Sequence, residues 1–167
     1  MTITPTYIPI ATTTLASAAS SVTFGSIPAT YRDLVLISVV KQTVFINHNM
    51  RLNGDTGSNY SGVQMFGDGG SAISNTFNAT YFSPFLNTNP GTGNFLSATT
   101  VIMDYSATDK HKTILMRSAG EGAQFFSNAS ASAFRWASTA AVNQISIFPA
   151  SGSIDIGSTF SIYGIAG

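Results

Sequence analysis

Arg51-Leu52-Asn53-Gly54-Asp55-Thr56-Gly57-Ser58-Asn59-Tyr60-Ser61 concentrates turn-forming residues between two apolar segments, and its reading decides the fold. Glycine accepts positive φ because it has no Cβ, while Asn and Asp side chains hydrogen-bond to nearby backbone and close tight turns. Asn53, Gly54, Asp55, Gly57 and Asn59 are therefore the expected structural turn, with Gly54 or Gly57 at positive φ. Val44, Ile46 and Leu52 lie on the near side and Val63, Met65 and Phe66 on the far side, so the run reads as a reversal between two β-strands.

Outward from this turn the strands multiply. Asp33 to Ile46 contains the least ambiguous one, because Leu34, Val35, Leu36, Ile37, Val39 and Val40 place apolar side chains on both faces, as in the middle of a sheet. Its valines and isoleucine, with no helix cap before them, disfavour a buried helix. Tyr7 to Leu15 is β-branched, but Pro5 and Pro9 cannot donate to a central ladder, so residues 1–15 are expected at a sheet edge or as an arm. Val22 and Phe24 alternate with polar neighbours as a second edge before Gly25-Ser26-Ile27-Pro28 breaks the pattern.

Beyond the turn, Val63-Gln64-Met65-Phe66 is a short strand that ends at Gly67-Asp68-Gly69-Gly70-Ser71. From Thr76 to Leu96 the chain scatters Phe77, Tyr81, Phe82, Phe85 and Phe95 among Asn, Thr, Pro and Gly. That segment reads either as an ordered loop with a strand around Ala79 to Phe82, or as a packed excursion at one end of the domain. Thr99 to Tyr105 and Lys112 to Ser118 read as an antiparallel pair. Gln124-Phe125-Phe126 and Phe134-Arg135-Trp136 are shorter strands parted by the low-complexity Ser127 to Ala133. Gln144 to Phe148 and Thr159 to Tyr163 alternate cleanly around Pro149-Ala150-Ser151-Gly152-Ser153. About nine or ten short strands without a helix make the chain all-β, a sandwich or barrel.

At 167 residues the chain fits one domain, 1–167. Charged residues are only 8% of it, against about a quarter in ordinary soluble domains. Seven basic and seven acidic residues cancel, leaving little repulsion between copies, which suits a subunit held within an assembly. Zero net charge without a Lys/Arg cluster argues against a nucleic-acid partner. Cysteine is absent, so no disulfide or thiolate metal site is expected. Met1-Thr2-Ile3-Thr4-Pro5 lacks the basic start and apolar core of a secretory signal, so synthesis in a cytoplasm without export is expected. The run Leu34 to Val40 is far shorter than the roughly 20 residues of a membrane-spanning helix, and no membrane span is expected.

Catalytic and metal signatures are weak. His48 and His111 lie in no zinc-ligand spacing and read as surface strand or turn histidines. No G-x-S-x-G elbow exists. The seven acids, Asp33, Asp55, Asp68, Asp104, Asp109, Glu121 and Asp155, are scattered rather than paired as glycoside hydrolysis requires. Asn53-x-Asp55-x-Gly57-x-Asn59 has the alternate oxygens of a calcium loop but no closing Glu, so a structural turn is the better reading. Gly67 to Ser71 has no Lys and no following helix, unlike a phosphate cradle. Asn59-Tyr60-Ser61, Asn78-Ala79-Thr80 and Asn128-Ala129-Ser130 match glycan acceptors by chance if the chain is not exported. No cofactor, no metal and no catalysis are expected.

Four pieces together carry a family resemblance: the turn run, Tyr7-Ile8-Pro9-Ile10-Ala11-Thr12-Thr13-Thr14-Leu15, the Val22-Thr23-Phe24 to Ile27-Pro28 to Tyr31 segment, and the ending Gly157-Ser158-Thr159-Phe160-Ser161-Ile162-Tyr163-Gly164-Ile165. They resemble small β-sandwich proteins among the virion structural proteins of tailed bacteriophages, over nearly the whole chain. The resemblance implies a jelly-roll-like antiparallel β-sandwich and a non-enzymatic role on the virion surface, as a capsid decoration or cement protein. The implied partners are further copies of the chain, gathered as a homotrimer, and other virion proteins, chiefly the major capsid protein. The alternative is a tail appendage or receptor-binding module that grips a host-surface glycan. Phe77, Tyr81, Phe82, Phe85 and Phe95 are the expected subunit or ligand interface, because aromatics are enriched at interface centres and offer ring faces to sugars.

Overall fold

Alternating side chains build eleven strands among the described residues of the computed structural model, which are 5–41, 47–67, 70–83, 95–120 and 128–167. They are β1 (Tyr7–Thr14), β2 (Val22–Phe24), β3 (Asp33–Val40), β4 (His48–Leu52), β5 (Tyr60–Gly67), β6 (Ala72–Ala79), β7 (Leu96–Met103), β8 (Lys112–Gly120), β9 (Asn128–Trp136), β10 (Ile145–Pro149) and β11 (Thr159–Ile165). An eight-stranded sheet runs β1-β11-β3-β7-β8-β9-β5-β6, and a three-stranded sheet runs β2-β10-β4. Every pairing is antiparallel. The chain changes sheet after β1, β2, β3, β4, β9 and β10, the wrapping path of a jelly-roll-like β-sandwich.

The core lies between the sheets. Leu34, Leu36, Ile102, Ile114, Phe160 and Ile162 point from the large sheet toward Val22, Phe24, Met50, Leu52, Ile145 and Ile147 of the small one, and all are buried. Each such side chain contributes roughly 1.5–3 kcal/mol relative to exposure. β1 is an edge strand whose ladder shifts register between Pro9 and Ala11, where a proline cannot donate. β3 is an interior strand flanked by β11 and β7, and β7 and β8 pair from Leu96–Gly120 to Met103–Thr113.

Two expectations change. β6 and most of β9 fall where the sequence reads as loop and low-complexity linker, so the described residues alone hold eleven strands rather than nine or ten. The aligned partners β8 and β5 hold β9 in the sheet although its side chains are mostly Ser and Ala. Pro149 to Ser153 lies on the connection from β10 in the small sheet to β11 in the large one. Val44, Ile46 and the expected strand Gln124 to Phe126 lie outside the described residues.

One charged side chain is built into the interior. Lys112 is fully buried, and its ammonium donates to the carbonyls of Ala107 (2.6 Å), Lys110 (3.0 Å) and Thr139 (3.3 Å). Burial pushes its pKa below the ordinary lysine value. Those bonds tie the connection between β7 and β8 to the segment after β9, as buried charge requires several partners.

Candidate functional site

Asp55 N donates to Leu52 O at 2.9 Å, and the two residues between them, Asn53 (φ 52°) and Gly54 (φ 66°), both occupy the left-handed region. This is the two-residue turn that Asn-Gly favours. Gly57 is not at positive φ; a Cβ there would meet Asn59 Nδ2 at 2.7 Å. Gly54→Val should therefore lower stability by more than about 1 kcal/mol, since a β-branched side chain clashes at positive φ. An unchanged urea midpoint would contradict that.

The turn is not a hairpin. β4 pairs with β10 in the small sheet and β5 with β9 and β6 in the large one, so the run carries the chain from one sheet to the other. Side chains fasten that crossing at both ends. Asn53 Oδ1 accepts from Asn143 N (2.9 Å) and Gln144 N (3.2 Å), and Asn53 Nδ2 donates to Ala141 O (2.8 Å). Asp55 accepts from Gly57 N (2.8 Å), Asn59 Nδ2 (2.9 Å) and Trp136 Nε1 (2.6 Å). Burial pulls the Asp55 carboxyl upward, but the bonds from Trp136, Asn59 and Gly57 outweigh it and hold the group below its ordinary value. Tyr60 hydroxyl donates to Asp55 O at 3.1 Å, and burial raises its pKa to about 12. An acid ringed by N–H donors is a structural anchor, which favours the turn reading over a calcium loop. Among the described residues no group of three or more His, Cys, Asp or Glu could hold a metal ion.

Three of the remaining acids are held by neighbouring donors rather than paired with one another. Asp33 accepts from Arg32 Nε (2.8 Å) and Asp104 N (2.9 Å), Asp155 pairs with Lys41 (3.0 Å), and Asp104 pairs with Lys110 (3.1 Å). Asp68 and Glu121 lie outside the described residues. His111 is exposed as expected, but His48 is fully buried, because its strand lies against the core rather than at the surface.

Four of the five aromatics of the expected interface, Phe77, Tyr81, Phe82 and Phe95, are among the described residues, and they do not come together. Phe82 is fully buried and packs edge-on to Tyr60 (4.7 Å between ring centroids) and tilted against Phe134 (5.2 Å). Its backbone bridges Met50, which draws it into the core. Phe77 is half-buried against Phe134 at 5.1 Å. Tyr81 is half-buried beside Phe148, with the Arg51 guanidinium over both rings at 5.9 and 4.7 Å. Phe95 is exposed before β7, and Phe85 lies outside the described residues. The four described residues belong to three separate places and, among themselves, offer neither a shared sugar platform nor one contact patch.

A different surface stands out. The register of the large sheet aligns three rows on the face turned away from the small sheet. Tyr163, Val35, Val101, Leu115, Ala133 and Val63 form one; Ser161, Ile37, Thr99, Arg117, Ala131 and Met65 the next; Thr159, Val39, Ser97, Ala119, Ala129 and Gly67 the third. Met65 is 60% exposed, Val63 46% and Leu115 45%. Arg117 and, one row beyond, Arg135 are the cations on this part of the face, and no acid lies in the three rows. A shallow groove of about 690 Å³ follows the small residues between Ile37 and Arg117. A second, of about 450 Å³, lies on the other side, between Leu115 and Met65.

No family model matches the chain, and no curated protein does. Among solved structures it is similar to Caenorhabditis elegans galectin LEC-6, at 10% identity over 90% of this chain and 94% of that one, with a TM-score of 0.36. At that distance the likeness says nothing of ligand or role.

The outer face was visible in the sequence only as an ambiguity. Apolar residues on both faces of β3 predict burial on both sides, whereas Ile37 and Val39 are exposed at 40% and 36%. Ala129, Ala131 and Ala133 sat in the run read as a linker, because alanine and serine give little periodic signal. Apolar side chains on both faces of a strand mean burial on both sides or an exposed face that something else covers.

Proposed function

We propose that this chain is a non-enzymatic structural subunit of a tailed-phage particle, a capsid decoration or cement protein that sits on the virion surface and contacts other copies of itself and the major capsid protein. The observation that carries this reading is the outer face of the large sheet, a broad, weakly charged surface in which exposed Met65, Val63, Leu115, Ile37 and Val39 surround small residues. Monomeric soluble proteins rarely leave large contiguous apolar patches in water, and such patches mark interaction sites. The resemblance of the start, the middle turn and the end of the chain to virion β-sandwich proteins supplies the setting. A polar, nearly uncharged remainder suits permanent placement in an assembly.

The test is addition of purified protein to assembled capsids that lack it. Saturable co-sedimentation with capsids, with copies located on the shell by particle imaging, is the expected result. Copies found on the tail, with no capsid binding, would replace this reading with the tail-module one.

A further inference from the structure

From the outer face of the large sheet we infer that its occupant is a second copy of the same chain, docked face to face through the same surface. This deepens the reading of the chain as an assembly subunit and rests on it.

The size of the face fits first. Eight strands spaced about 4.8 Å apart, each of about eight residues rising about 3.3 Å, present on the order of 1,000 Å² in outline. A stable standard interface takes about 800 Å² from each partner. One copy therefore supplies what half of such an interface needs, without any contribution from loops.

Relief fits second. Leu115 and Arg117 stand as a ridge between two grooves, one floored by Ser97, Ala119 and Ala129 and the other lying between Leu115 and Met65. Ridge and groove on one face are what a two-fold contact requires, since each copy must offer both halves of the fit. The ring of three expected from the resemblance would instead join two different patches of each subunit. Small side chains in the groove let a second sheet approach closely, and the long Arg117 and Met65 side chains match that depth. Arg117 can lay its alkyl stem along apolar surface while its guanidinium reaches the serine and threonine hydroxyls of Ser97 and Thr99 or the rim water.

Charge fits third. The three rows hold one cation and no acid, so two faces meet with little repulsion, provided that the two Arg117 side chains are offset from the axis. A nucleic acid would need many more cations than this face has.

The experiment measures mass by light scattering across a wide concentration range, for the parent, Ala131→Glu, Leu115→Glu and the control Ser20→Glu, whose site is exposed and away from the face. The expected result is a two-chain mass for the parent and Ser20→Glu, and a one-chain mass for both face variants with unchanged circular dichroism. Since a glutamate on a strand can harm folding, a second measurement uses the absence of native cysteine. A thiol introduced by Ala131→Cys should react with maleimide more slowly as concentration rises, while one introduced by Ser20→Cys should not. A multi-chain mass that survives the face variants, with a freely reactive thiol at 131, overturns the assignment of this face but leaves the assembly reading standing. A three-chain mass overturns the face-to-face pair. A single chain at every concentration overturns self-association; if that monomer also floats with phosphatidylcholine vesicles, the face belongs to a lipid surface.

Discussion

Asp55→Asn should lower unfolding stability by on the order of 2–3 kcal/mol, although it keeps the size and shape of the side chain. Asp55 accepts three N–H groups, from Gly57 at 2.8 Å, Asn59 at 2.9 Å and Trp136 at 2.6 Å. A carboxylate can accept all of them; an amide turns its own NH2 toward at least one. Trp136 is buried, so its indole N–H loses its acceptor in a place water does not easily reach. The carboxyl is held below its ordinary value, so its contribution is present above the unfolded carboxylate pKa and disappears as pH falls through the lower folded value. Trp136 is the single tryptophan, and its fluorescence reports the site directly. An Asn variant with the parent's urea midpoint and the parent's emission would show that Asp55 anchors nothing.

The same residue illustrates what local sequence can and cannot carry. Asn53-Gly54 announced a tight turn because its chemistry is local: positive φ at two adjacent residues and a carbonyl three residues back. The partners of that turn are not local. Trp136 reaches Asp55 from 81 positions away, and Asn143 and Gln144 reach Asn53 from 90 and 91. Nothing in the spacing reveals them, so a sheet-to-sheet crossing reads locally as a plain strand reversal.

Fold class was legible for a physical reason. Alternating β-branched residues in Leu96–Met103, Ile145–Pro149 and Thr159–Ile165 bury one face each, and burial of one face of a strand needs a second layer. β6 was missed because its side chains are nearly all exposed, leaving no alternation to read. β9 was missed because Ala and Ser carry too little apolar contrast, although Ser130 and Ser132 are buried on the inner side and Ser118 and Ser130 hydroxyls lie 2.7 Å apart. The outer face is faint in the sequence for the same reason: it is made partly of alanine, and partly of a strand whose second apolar side is indistinguishable by pattern from a buried one.

His48 should give the chain a steep loss of stability between about pH 6.5 and pH 4, of about 3 kcal/mol in all. The imidazole opens β4 opposite Pro149 of β10 and is fully buried, and burial lowers its pKa from 6.5 to about 4. A base with a depressed folded value is protonated in the unfolded chain before the folded one. Between those two values the unfolded state holds the extra proton, so stability is complete above about pH 6.5 and falls as pH is lowered, until the folded imidazole also protonates near pH 4. This window lies above that of Asp55, so the two acid limbs separate on the pH axis. A loss of about 3 kcal/mol is a large fraction of the roughly 5–15 kcal/mol that holds a domain folded. Urea midpoints taken at pH 7.5, 6, 5 and 4.5 would trace the limb, with His48→Gln expected to flatten it and His111→Gln, at an exposed position, expected to leave it in place. Should His48→Gln fall as steeply as the parent across that range, the buried imidazole is not the group that titrates, and the acid sensitivity must come from carboxylates instead.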